Sequence, residues 1–133
     1  MTSNPGSVPI ASPRKKVLAV DDSATVLLAV ELLLAREHQV LTARDGEAAL
    51  ALARSARPDL ILLDVVMPGM DGFETCRRLR AAEETRATPV ILITTRGELE
   101  SLERGYEAGC SDYVTKPFHG PELLAKVRSC LGG

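Results

Sequence analysis

The chain has 133 residues, 45% of them apolar, which allows one domain with a core of its own. Its net charge is −2, with acids and bases interspersed and no basic block, and this weighs against a nucleic-acid footprint. Aromatic residues make up only 3% and Trp is absent, so stacking platforms for bases or sugars are not expected.

The opening "MTSNPGSVPIASP" has no basic region followed by an apolar run and therefore does not read as a secretory signal. Its Pro, Ser and Gly content predicts a flexible leader over residues 1–15. Lys16 to Val20 then reads as a strand, followed by an apolar-rich helix from about Ser23 to Glu37. The longest apolar stretch, Ala24 to Ala35, is interrupted by Glu31 and falls short of the ~20 residues a bilayer requires. Gln39 to Thr42 is a short β-branched strand, and "DGEAALALARSARP" predicts a helix from about Gly46 to Ala56, stopped before Pro58. Leu60 to Leu63 is a third strand and Phe73 to Ala82 a helix with apolar and charged faces. Pro89 opens a fourth strand, Val90 to Ile93. A helix from Glu98 to Ala108 stops at Gly109. Asp112 to Thr115 is the fifth strand, and Pro121 marks the first turn of a last helix. The cysteines Cys76, Cys110 and Cys130 are odd in number and form no CxxC pair, which predicts reduced core or helix residues in a cytosolic protein.

Five β-α units in strict alternation imply a parallel sheet covered by helices on both faces, and the continuous apolar strands agree. Right-handed crossovers leave a doubly wound α/β sheet of five strands as the simplest topology. Ligands then bind outside the carboxyl ends of the strands. The residues at those ends are Asp21 and Asp22 after the first strand, Asp64 after the third, Thr94 and Thr95 after the fourth, and Lys116 after the fifth. Carboxylates gathered this closely repel one another. Lys116 offsets one charge, and a hard divalent cation with oxygen ligands suits the rest better than zinc. His38 and His119 form no zinc-binding spacing. No glycine-rich fingerprint or P-loop follows the first strand, which sets nucleotide-binding enzymes aside.

Four stretches, "VDDS" at 20–23, "LLDVVMPGMDG" at 62–72, "PVILITT" at 89–95 and "DYVTKPF" at 112–118, resemble the receiver domain of two-component response regulators. The resemblance runs from Lys16 to Leu131. It implies a flavodoxin-like (βα)5 fold of strand order 2-1-3-4-5, with a receiver domain over 16–133. It also implies that Asp64 accepts a phosphoryl group from a histidine kinase or histidine phosphotransfer domain. Mg²⁺ (or Mn²⁺) would be held by Asp21, Asp22, Asp64 and the backbone carbonyl of Val66. Thr94, Thr95 and Lys116 would contact the phosphoryl group, Tyr113 would act as a rotamer switch, and the Lys116–Pro117 peptide would be cis. The reading surface would be the face of the fourth helix, fifth strand and fifth helix, contacting a downstream protein or a second copy on phosphorylation. The implied protein is cytoplasmic, contacts neither nucleic acid nor membrane directly, and performs only self-directed phosphoryl capture and autodephosphorylation.

Plainer roles stand beside these. Asp22 and Ser23 are good helix N-caps, Tyr113 is a common packing residue, and Gly69 and Gly72 read as turn glycines needing positive φ. Val66, Arg96 and Thr95 depart from the family's usual residues beside the phosphoryl group and leave its hydrolysis rate open. On a helical wheel Val26, Val30, Leu33 and Leu34 form the core face of the first helix. Leu28 and Leu32 project from the opposite side, either as exposed leucines of no consequence or as a patch for a kinase phosphotransfer helix or self-association. Two further alternatives are a pseudo-receiver that is never phosphorylated and the N-terminal regulatory part of a longer response regulator.

Overall fold

The computed structural model describes residues 14–95 and 99–132; the side chains of residues 95 and 99–101 are outside the description. Most of the expected leader and Arg96 therefore lie outside the described residues. The elements alternate without exception: β1 (Lys16–Val20), α1 (Ala24–Leu34), β2 (Gln39–Ala43), α2 (Gly46–Ala56), β3 (Leu60–Asp64), α3 (Gly72–Ala81), β4 (Val90–Thr95), α4 (Leu99–Ala108), β5 (Asp112–Lys116) and α5 (Gly120–Leu131). All strands are parallel and the sheet order is β2-β1-β3-β4-β5, the expected doubly wound arrangement.

The two-residue period of the strands sorts the core into two layers. Val17, Ala19, Leu60, Leu62, Ile91, Ile93 and Val114 point to one face, where α1 and α5 cover them with Leu27, Val30, Leu34, Leu123 and Val127. Leu18, Val20, Ile61, Leu63 and Leu92 point to the other, under Ala49 and Ala53 of α2 and Phe73, Cys76 and Leu79 of α3. The inner face of α1 differs from the helical-wheel expectation: Leu27, Val30 and Leu34 are buried, whereas Val26 and Leu33 are only half-buried. The helix also ends at Leu34 rather than at Glu37. Leu28 and Leu32 are 56% and 70% exposed, on the outer side as expected.

The helix starts follow local chemistry. Ser23, Asp45 and Asp71 cap α1, α2 and α3, each accepting a hydrogen bond from the backbone N–H three residues on. Asp22 is thus not the cap of α1, which frees its carboxylate for another role. The cysteines are free, Cys76 and Cys110 buried and Cys130 half-buried. Burial, with the neighbouring Cys76 thiol as the next cause, pushes the Cys110 thiol up to about 11, so it stays protonated and packs as an apolar residue.

The two turn glycines serve different ends. Gly69 has φ +77°, as expected, with open space around its Cα. Gly72 is not among the positive-φ residues and corrects that expectation. It is the first residue of α3, and a Cβ there would lie 2.4 Å from the Asp64 carbonyl oxygen and 2.7 Å from Val65 Cα. Its N–H donates to the Val65 carbonyl at 2.9 Å, so the start of α3 is pressed against the end of β3. Neither neighbour is a flexible side chain. Gly72→Ala should therefore lower the unfolding free energy by about 2–3 kcal/mol, against roughly 1 kcal/mol for Gly69→Ala; urea denaturation of both variants measures the difference, and equal losses would contradict the close approach.

Candidate functional site

In a parallel sheet every strand delivers its carboxyl end to the same rim. Asp21 and Asp22 follow β1, Asp64 ends β3, Thr94 is the next-to-last residue of β4, and Lys116 ends β5. Carboxylate oxygens of Asp21, Asp22 and Asp64 lie within 4.8 Å of one another. The Lys116 ammonium stands 3.0 Å from Asp21 Oδ2 and 3.2 Å from Asp64 Oδ1. Asp21 Oδ1 also accepts a hydrogen bond from Ser23 N–H at 2.9 Å. Asp21 and Asp64 are buried while Asp22 is exposed, so the rim is a shallow well with one acid at its lip.

The electrostatics are unbalanced. Among the described residues one ammonium pairs with two of the three carboxylates. Burial, and next the charge of Asp21, raise the Asp64 pKa above its ordinary value, and the opposing pull of Lys116 does not cancel them. On Lys116 the largest influence is burial, which lowers its pKa, but the hydrogen bond to Asp21 and the charges of Asp64 and Asp21 outweigh it and the net shift is upward. The ammonium therefore stays charged, and among the described residues the cluster keeps a net negative charge. Thr94 adds a second unmet demand. It is 3% exposed and its hydroxyl has no hydrogen-bond partner among the described residues. An all-carboxylate donor set with surplus negative charge fits a hard divalent cation. His38 is buried on a Leu34 carbonyl and His119 is exposed at the start of α5, and neither joins the cluster.

The remaining expected residues fall near the rim or on the flank of β5. Val66 follows β3 with an exposed side chain. The side chain of Thr95 lies outside the described residues; its backbone pairs with Lys116 across the sheet. The Lys116–Pro117 peptide is cis. Tyr113 is half-buried on β5, edge-on to Tyr106 of α4 with ring centroids 6.2 Å apart. Lys126 of α5 lies 5.6 Å from the Tyr113 ring centroid and pairs with Asp112 at 3.2 Å. A groove of about 500 Å³ runs beside the rim, lined by Val26 and Ala29 of α1 and by Lys116, Pro117 and Phe118.

Two contributors have no local signal in the sequence. Arg44, directly after β2, donates from Nε and Nη2 to the backbone carbonyl of Asp22 at 3.0 and 2.8 Å. Arg104 stacks its guanidinium 4.4 Å from the centroid of the Phe73 ring, tying α4 to the start of α3. Each links segments distant in the chain, and only the strand order could have suggested the first.

A family model described as the response regulator receiver domain matches residues 17–128. The transcriptional regulatory protein AfsQ1 of Streptomyces coelicolor is 45% identical over 116 residues, covering 86% of this chain and 50% of AfsQ1. Protein PilH of Pseudomonas aeruginosa is 40% identical over 119 residues, covering 89% of this chain and 98% of PilH. Among solved structures, the receiver domain of the sensor histidine kinase PA1611 from Pseudomonas aeruginosa, with a magnesium ion in its active site cleft, superposes with a TM-score of 0.83 at 30% identity, covering 91% of this chain and 100% of that one. The chain spans about half the length of relatives such as AfsQ1 and nearly all of PilH. No helix among the described residues is long and apolar enough to cross a membrane. The match of sequence, fold and rim leads to one conclusion: the chain belongs to the family of response regulator receiver domains, the phosphoacceptor modules of two-component signalling.

Proposed function

We propose that Asp64 is the phosphoacceptor and that the rim around it captures a phosphoryl group from a phosphohistidine on a histidine kinase or phosphotransfer domain. The observation that carries this reading is the buried Asp64 carboxylate, 3.2 Å from the Lys116 ammonium and clustered with two further acids. In the step, an Asp64 oxygen forms the new P–O bond as the P–N bond of the donor breaks, and the departing imidazole keeps the nitrogen electron pair and takes a proton from solvent. Lys116 holds one phosphoryl oxygen by charge, and the unpartnered Thr94 hydroxyl donates to another. Asp21, Asp22, Asp64 and the Val66 carbonyl would hold Mg²⁺ (or Mn²⁺), which when bound supplies the positive charge that the carboxylates and phosphoryl oxygens lack. The magnesium in the cleft of the PA1611 receiver domain supports this choice of ion. The only reactions assigned to the chain are this capture and its own autodephosphorylation, in the cytoplasm of a bacterium.

Two surfaces complete the proposal. The acyl phosphate adds about −1.5 to −2 charge at the rim. Movement of Thr94 towards it would leave room for the Tyr113 ring to turn, changing the face of α4, β5 and α5 that a downstream protein or second copy reads. The incoming donor would dock on α1, whose outer side exposes Leu28 and Leu32 and whose Val26 and Ala29 line the apolar groove shared with Lys116.

Intact-mass analysis after incubation with acetyl phosphate and Mg²⁺ tests the acceptor. Wild type should gain one phosphoryl group, Asp64→Asn and EDTA-treated wild type none; labelling that persists in Asp64→Asn would reassign the acceptor. A second test concerns stability without metal. Because the Asp64 pKa is raised in the folded state, the folded protein keeps this proton to higher pH than the unfolded chain. Its contribution is thus fully favourable below the unfolded value and is lost as pH rises through the folded value. Above the folded value the penalty is complete, so at such a pH Asp64→Asn in EDTA should melt higher than wild type by about 2–5 °C; calorimetry showing a lower melting temperature there would mean that the carboxylate stabilises the rim. For the docking surface, Leu28→Lys with Leu32→Lys should slow phosphotransfer from a kinase at least tenfold while labelling by acetyl phosphate is unaltered. An unchanged kinase rate would remove α1 from the interface.

A further inference from the structure

Asp22 is held unlike the other two acids. Asp21 is fixed by Lys116 and by Ser23 N–H, and Asp64 by Lys116. The Asp22 carboxylate is exposed and takes no hydrogen bond or ion pair among the described residues, so its direction depends on its backbone. That backbone is clamped at both ends of a single peptide unit. The N–H of Ser23 donates to Asp21 Oδ1 at 2.9 Å, and the carbonyl of Asp22 accepts from Arg44 Nε at 3.0 Å and Nη2 at 2.8 Å. Just before Arg44, the Ala43 carbonyl accepts from Asp21 N–H at 3.2 Å. The end of β2 thus grips the acid pair by its main chain and by one side chain.

We propose that Arg44 is a positioning residue for the divalent-cation site, locking the Asp22–Ser23 peptide so that the Asp22 carboxylate stays gathered with Asp21 and Asp64. The proposal rests on the reading of those acids as cation ligands. Arg44 acts in two opposed ways. Its charge near three carboxylates repels a cation, which weakens binding. Its clamp removes motion from a ligand that nothing else orients, which strengthens binding. Exposure and salt screen the first effect, and the paired donors on one carbonyl favour the second. Adjacent donors in a rigid plane are a property of arginine; lysine keeps the charge and loses the fork.

Calorimetric titration with Mg²⁺ alone separates the two effects in wild type, Arg44→Gln and Arg44→Lys, with the metal-free melting temperature as the control for folding. The clamp predicts that both variants bind Mg²⁺ about three- to tenfold more weakly, with melting temperatures within roughly 2 °C of wild type. If Arg44→Gln melts lower than that, Arg44→Lys decides. Equal or tighter Mg²⁺ binding by Arg44→Gln, or unaltered binding by Arg44→Lys, shows that the fork does not position the site and overturns the proposal. A wild-type protein that takes up no Mg²⁺ overturns the cation-site reading and the clamp with it, whereas normal wild-type binding and unaltered variants overturn the clamp alone.

Discussion

The rim is organised by one ammonium shared between two buried carboxylates. β1 and β3 are neighbours in the sheet, so Asp21 and Asp64 cannot avoid each other once both strands end in an acid. Lys116 comes from β5, with β4 in between, a lateral span of about 10 Å at ordinary strand spacing. Only a long side chain closes much of that gap, and the lysine stem does so while its ammonium stays at the rim. Removing it would leave two carboxylates buried without a countercharge, which the interior tolerates poorly. The pair of contacts at 3.0 and 3.2 Å is therefore a condition for having the acids there at all.

What Lys116 supplies is also insufficient, and that insufficiency is what makes the rim responsive. A raised Asp64 pKa and a buried Thr94 hydroxyl without a partner among the described residues are both unmet demands within the same small well. A buried donor left unpaired costs about 1–3 kcal/mol, so whatever brings acceptor oxygens and countercharge stabilises the site twice over. In the proposed switch, β4 is the element that carries this gain outward. Thr94 lies in β4, and Leu92, two residues earlier, meets α4 at Gly105, where a Cβ would come within 2.7 Å of its side chain. Leu92 also pairs in register with Tyr113. A shift of β4 would therefore reach both α4 and the tyrosine through direct packing.

The legibility of the sequence varied with the range of the interaction involved. Strands β1, β3 and β4 were readable because strands covered on both faces are unbroken apolar runs, and their ends were marked by acids and hydroxyls. The rim followed from topology, since parallel strands place those ends together. The inner face of α1 was read off-centre, missing Leu27 and placing in the core Val26 and Leu33, which pack against it only half-buried, because the helix, ATVLLAVELLL, is apolar nearly all round and offers almost no amphipathic contrast. Gly72 looked like a turn glycine, but its requirement is the nearness of the Asp64 carbonyl, a tertiary fact with no local sign. Arg44 was invisible for a similar reason: its partner is a main-chain carbonyl on the adjacent strand end, 22 residues away, and carbonyls carry no sequence label.

The apolar outer side of α1 and the chemistry of the rim also constrain each other. Asp64 is only 4% exposed, so a donor histidine has to be brought down into the well rather than met at the surface. Charge alone gives this steering little range, because three carboxylates, Lys116 and a bound divalent cation would nearly cancel. An apolar contact does not depend on that balance, and a groove beside the rim is lined by Val26 and Ala29 together with Lys116, Pro117 and Phe118. Docking driven by leucines on α1 would hold the donor long enough for a slow carboxylate nucleophile to act, while Lys116, which lines the groove, draws the phosphoryl oxygens inward. In the proposed docking mode the exposed Leu28 and Leu32 would be the non-electrostatic half of donor recognition, beside a rim whose work is electrostatic.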